Sequence, residues 1–173
     1  MRCETSLTRI YLDTSAFLKE FSEEPKSQIV HRIFEMCRSG TVTIITSRWT
    51  INESIAAFDR KHHAKGEISA SERDIAIFTM LRRVEELTGN DRIFAIRLTN
   101  EVIQPSTAII TDKHLSADDA LHLYSVSVGK CDAFVLADSR FANLAKDGGD
   151  FEIFDITVES DYSRLEKFLT SLK

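Results

Sequence analysis

Short apolar runs separated by longer segments of helical periodicity constrain this chain more than any other feature. Ile10-Tyr11-Leu12 stops at Asp13-Thr14-Ser15, and Val42, Ile44 and Ile45 lead into Ser47. Ile93 to Leu98, Ala133 to Ala137 and Phe151 to Ile156 read the same way. Continuous apolarity suits strands buried on both faces, as in a parallel sheet. The segments between them carry helix signals. Pro25 is placed to open a helix at its first turn; Ile29, Ile33, Phe34 and Cys37 recur at helical spacing, and Gly40 ends it. Ser47 begins a long helix to about His63, and further helices are expected over 71–87, 99–112, 117–128 and 139–146, the last two ending at Gly129 and at Gly148-Gly149. Strands alternating with helices predict a three-layer α/β/α fold around a mostly parallel sheet of four to five strands. Ligands of such sheets bind beyond the carboxyl ends of the strands.

Composition narrows the class. The chain has 173 residues, 43% hydrophobic and 28% charged, which excludes disorder and fits one domain. That domain is expected over 1–156. Leu165, Phe168, Leu169 and Leu172 mark an amphipathic helix over 157–173, docked on the domain or at an interface. Lys and Arg number 22 against 27 Asp and Glu, a net charge of −5. A chain of that sign is not held on nucleic acid by bulk charge alone. Cys3, Cys37 and Cys131 are widely spaced, with no C-x-x-C, so neither a zinc ribbon nor a secreted disulfide framework is expected, and a reducing cytoplasm fits. No apolar run approaches the roughly 20 residues that span a bilayer. Glu4, Thr5, Ser6, Thr8 and Arg9 interrupt any signal-peptide core.

Four acids from distant segments each fall near a place where chain direction reverses. Asp13 follows the first strand and Asp138 the fourth; Asp119 lies in the first turn of a helix beginning near Ser116, and Glu53 lies one to two turns into the helix after the second strand. Each also has a structural reading: Asp13 and Asp138 as helix N-caps, Ser116 and Asp119 as parts of a capping box, Glu53 on a solvated face. Spacing separates the readings for two of them. Glu53 has Trp49, Thr50, Ala56 and Ala57 three and four residues away, with no charged partner. Asp118 aligns with His122 and Ser125, whereas Asp119 aligns with Leu123 and Val126, so Asp119 is the acid expected in apolar surroundings. Two like charges at about 4 Å repel by roughly 4 kcal/mol at an effective dielectric near 20. Four gathered acids therefore need a cation, and oxygen-only ligands favour Mg²⁺ or Mn²⁺. Such an ion activates water and neutralises charge developing on a phosphate.

These residues form a familiar series. I-Y-L-D-T-S-A-F at 10–17 resembles the opening strand of PIN-domain nucleases, and T-S-R-W-T-I-N-E at 46–53 their second acidic motif. L-S-A-D-D-A-L-H-L at 115–123 and F-V-L-A-D-S-R-F at 134–141 resemble the third and fourth. The style is that of VapC-like toxins of toxin–antitoxin pairs. The resemblance implies a Mg²⁺- or Mn²⁺-dependent ribonuclease with Asp13, Glu53, Asp119 and Asp138 as metal-holding acids. Thr14 or Ser15 becomes a supporting hydroxyl, and a homodimer, a cognate antitoxin and an RNA substrate, single-stranded or structured, become the expected partners. The chain departs from the pattern at Leu136, where the family often has Ser or Thr. That departure keeps a catalytically weak RNA-binding or protein-interaction module as the alternative.

Other classes fit less well. A phosphatase or receiver domain needs paired carboxylates near the first strand or an acceptor Asp at the end of a central one, and Asp13 has no acidic neighbour within six residues. No Gly-rich phosphate cradle and no H-x-x-x-H spacing occur. Arg140 is a candidate phosphate contact. Arg60, Lys61, His62, His63 and Lys65 form a basic helix end, suited to the helix dipole or to an RNA backbone.

Overall fold

The computed structural model describes residues 7–147 and 149–172; Cys3, Glu4, Thr5, Ser6 and Gly148 lie outside them. The chain runs β1 (Thr8–Leu12), α1 (Thr14–Phe17), a 3₁₀ turn (Leu18–Glu20), α2 (Ser27–Ser39), β2 (Val42–Ser47), α3 (Arg48–His63) and α4 (Ala70–Gly89). It continues through β3 (Ile93–Ile96), α5 (Asn100–Lys113), α6 (Ala117–Val128), β4 (Ala133–Leu136), α7 (Ser139–Ala145), β5 (Glu152–Asp155) and α8 (Glu159–Ser171). All strand pairs are parallel, in the order β3-β2-β1-β4-β5.

The apolar runs are continuous because each strand has a core on both faces. Ile10, Leu12, Val42, Ile44, Ala133 and Val135 face a layer built from α2, α4 and α8. Tyr11, Ile45, Phe134 and Leu136 face the other layer, where α6 and α7 contribute Ala120, Leu123, Val126, Phe141 and Ala145. The predicted three-layer parallel architecture is thus the observed one, with five strands.

Some boundaries differ. β3 stops at Ile96 rather than Leu98, because its only partner strand, β2, ends at Ser47, the residue paired with Ile96. Pro25 does not open α2. It sits in a turn whose next residue, Lys26, is left-handed at φ 69° and leads into Ser27. Gly40 does end α2, at φ 80°, where its N–H and that of Thr41 close on the carbonyls of Cys37 and Met36.

Helix α8 is docked through Leu165 and Leu169, both fully buried in the layer of α2 and β5. Leu165→Ala is expected to cost about 3 kcal/mol, within the range for buried leucines, read as a lower midpoint in urea with an unchanged slope.

Candidate active site

The strand order reverses direction at β1: successive connections place β2 and β3 on one side and β4 and β5 on the other. The carboxyl ends of β1 and β4 therefore border the crevice where open α/β sheets bind ligands. Asp13 stands at one lip and Asp138 at the other.

Asp13 is 5% exposed and caps α1, its Oδ1 accepting the Ala16 N–H at 2.8 Å. The Ser15 hydroxyl donates to both of its oxygens at 2.8 Å, and Ser15 Oγ itself accepts the Ala137 N–H at 2.7 Å. Ser15 thus ties the first acid to the end of β4. Burial pushes the Asp13 carboxyl up to about 6; the charge of Glu53 adds to this, while His122, the Ala16 N–H and Ser15 oppose it.

Glu53 faces the site from α3, whose start is fixed by a capping box between Ser47 and Thr50. Its side chain is 23% exposed. Oε2 accepts from the Thr14 hydroxyl and lies 2.9 Å from His122 Nε2. Nδ1 of His122 lies 3.0 Å from the Tyr11 hydroxyl. A carboxylate only accepts, so Nε2 carries a proton. In the neutral ring Nδ1 then accepts, and Tyr11 donates. Burial keeps that phenol protonated by raising its pKa well above the usual tyrosine range, against neighbouring hydroxyls of Ser47, Ser125 and Thr50.

Asp118 and Asp119 share the first turn of α6, which Ser116 caps by accepting the Asp119 N–H at 3.2 Å. The two acids part electrostatically. Ser116 draws Asp118 below its ordinary value, whereas burial, then the charges of Asp118 and Asp138, push Asp119 up, against Ser116 and His122. The polar side of α6 is not a solvated one: His122 is 4% exposed and Ser125 fully buried, because that side turns toward Tyr11 and Glu53. Asp138 is exposed and caps α7, Oδ1 accepting the Phe141 N–H at 2.9 Å. The N-cap readings and the site readings of Asp13 and Asp138 are therefore compatible.

The charge of Glu53 is felt at Asp13 and that of Asp138 at Asp119, and of the four acids it is Glu53 that His122 contacts directly, at 2.9 Å. Among the described residues no three His, Cys, Asp or Glu side chains converge closely enough to cradle an ion as they stand. The donor set still fits a hard divalent cation in kind. It consists of carboxylate oxygens, two of its acids are driven toward neutrality by burial and mutual repulsion, and no Lys or Arg forms an ion pair with any of the four among the described residues.

Sequence reasoning missed His122, Tyr11 and Asp155. The signal for His122 was its place four residues after Asp118 and three after Asp119. Asp155 is 2% exposed at the end of β5, where it accepts from Ser139, the first residue of α7, and from Thr157. It anchors the turn that presents Asp138. Leu136 is a fully buried core residue, so its position in β4 serves packing. The basic end of α3 is largely engaged: Lys61 pairs with Glu24 at 2.9 Å, Lys65 with Glu67 at 3.5 Å, and His62 Nδ1 lies 3.0 Å from the Ile68 carbonyl. Although burial works against it, Lys61 and Lys19 hold Glu24 down to about 2. Arg140 is exposed beside Asp138.

A sequence model of the PIN domain matches residues 10–147. Among solved structures, the crystal structure of PAE2754 from Pyrobaculum aerophilum is similar, with a TM-score of 0.56 and 16% identity, covering 96% of this chain and 98% of that one. At that identity the likeness is one of fold. No curated protein matches the chain.

Proposed function

This chain belongs to the PIN domain family, a family of nuclease-type hydrolases, and on that premise we propose that it is a Mg²⁺- or Mn²⁺-dependent endoribonuclease, the toxin of a toxin–antitoxin pair. The observation that carries the reading is the placement of Asp13 and Asp138 just past the carboxyl ends of the adjacent strands β1 and β4, where strand order reverses, with Glu53 tied to the residue after Asp13 through the Thr14 hydroxyl. When bound, the ion would be held by carboxylates among these four and would supply neutralisation of charge on the phosphate. The protein's own residues do the rest. Thr14 and His122 hold Oε2 of Glu53, which leaves Oε1 to orient a water for attack on the phosphorus. Ser15 fixes Asp13 against the end of β4. Arg140 meets a phosphate oxygen of the substrate beside Asp138.

A second copy and an antitoxin are the partners the reading implies. Ile75 and Phe78, 63% and 66% exposed on α4, offer an apolar face to the first of them. A reducing cytoplasm is the compartment proposed. The buried, free Cys37 and Cys131 are consistent with it, and no helix among the described residues is long and apolar enough to cross a membrane.

Labelled single-stranded RNA incubated with the pure protein is expected to be cut in Mg²⁺ or Mn²⁺ and to stay intact in EDTA. Undiminished cutting in EDTA would overturn the metal-dependent mechanism. Binding without cutting in either ion favours the non-catalytic module.

A further inference from the structure

The carboxyl edge of the sheet carries more than acids. In strand order it runs from Arg97, just after β3, through Arg48, just after β2, to the acids at β1 and β4, and then to Arg140. Arg48 and Arg97 are both exposed, and neither has a carboxylate partner among the described residues. They line one groove of about 440 Å³ between α4 and the free edge of β3. Its apolar wall includes Phe94 and Leu81, 44% and 41% exposed.

We propose that this groove is a binding subsite for single-stranded RNA next to the scissile position, with Arg48 and Arg97 on backbone phosphates and Phe94 as the platform for a base. It rests on the ribonuclease reading and deepens it by naming the path of the strand. Three observations converge. The end of the groove that holds Arg48 and Arg97 lies on the same sheet edge as Asp13 and Asp138, with β2 alone between β3 and β1. Its cations are free, where those of the α3 terminus are mostly paired. An exposed aromatic beside two free arginines is the combination by which proteins hold unpaired nucleotides, stacking on the ring and pairing charge along the backbone. A net charge of −5 makes such a local track necessary, because the molecule as a whole repels RNA. Glu85 also lines the groove and opposes the arginines.

The test is the salt dependence of RNA binding. In an Asp13→Asn chain kept in EDTA, where cutting is expected to be suppressed, the affinity for a labelled single-stranded oligonucleotide is measured by fluorescence anisotropy over a range of salt. Each phosphate contact on a single strand contributes about 0.7 to the slope of log K against log salt. Arg48→Gln with Arg97→Gln is expected to flatten the slope by about 1.4. Phe94→Ala is expected to weaken binding about tenfold with the slope unchanged, and Phe94→Tyr to restore it. Glu85→Gln is expected to tighten binding. Arg38→Gln, at the exposed end of α2 on the opposite sheet edge, is expected to change nothing. If the unsubstituted chain cuts RNA and the double arginine variant keeps both slope and affinity, the subsite is refuted and the ribonuclease reading stands. If the groove variants instead alter the sedimentation of the protein and leave RNA binding alone, the groove is a contact between copies and the proposal is again refuted. If the unsubstituted chain neither cuts nor binds RNA, both readings fail together.

Discussion

Asp13→Asn and Asp119→Asn are each expected to lower the rate of RNA cleavage by about 10³-fold while leaving the fold intact. The magnitude follows from the several kcal/mol of charge stabilisation that a carboxylate-held cation supplies, at tenfold for each roughly 1.4 kcal/mol. The two acids come from different elements, Asp13 at the start of α1 after β1 and Asp119 in the first turn of α6. A comparable loss in both variants identifies one centre drawing on both elements. Single-turnover rates in saturating Mn²⁺, with circular dichroism to check folding, make the comparison. Retention of activity in Asp119→Asn would assign catalysis to the β1 side alone.

The same Asp13→Asn change is expected to stabilise the metal-free protein. The carboxyl is raised from 3.8 to about 6 in the folded state, principally by burial. The native state therefore holds a proton more tightly than the unfolded chain, and stability falls as pH rises between the two values. Above both, the charged side chain costs about 3 kcal/mol, from two units at roughly 1.4 kcal/mol each. Asn caps a helix as well as Asp does, so the cap to Ala16 is kept. In EDTA near neutral pH the variant is expected to melt about 6–12 °C above the parent, at roughly 2–4 °C per kcal/mol for a domain of this size. Near pH 4 the difference closes. Divalent metal is expected to raise the melting temperature of the parent more than that of the variant. A variant less stable than the parent at neutral pH would show that the buried charge is already compensated within the protein.

The acidic motifs were legible because local chemistry places them. Asp13 and Asp138 each follow a strand and cap the helix after it, so strand end and helix cap fall on the same residue. Helical spacing set Asp119 apart from Asp118, and the two carboxyls are shifted in opposite directions, Asp119 upward chiefly by burial and Asp118 downward chiefly by the Ser116 hydroxyl. The same spacing marked the side of α6 carrying Asp118, His122 and Ser125 as polar without showing what lies against it. Polar residues at i and i+4 mark a shared face, and periodicity says nothing of whether water or another polar side chain lies against it. Here the face meets Tyr11 and Glu53, 111 and 69 residues distant from His122 in sequence.

Sequence alone determined the strand–helix alternation, the parallel sheet and the strand-end position of Asp13 and Asp138, since periodicity, caps and turn residues act over a few neighbouring positions. Tertiary structure alone decided the order β3-β2-β1-β4-β5, the contacts that join Glu53 to Thr14 and His122, the anchoring of α7 by Asp155 and the meeting of Arg48, Arg97 and Phe94 in one groove. Each of those depends on which segments pack side by side, and packing across such separations in sequence is fixed by burial of the whole core rather than by any local pattern.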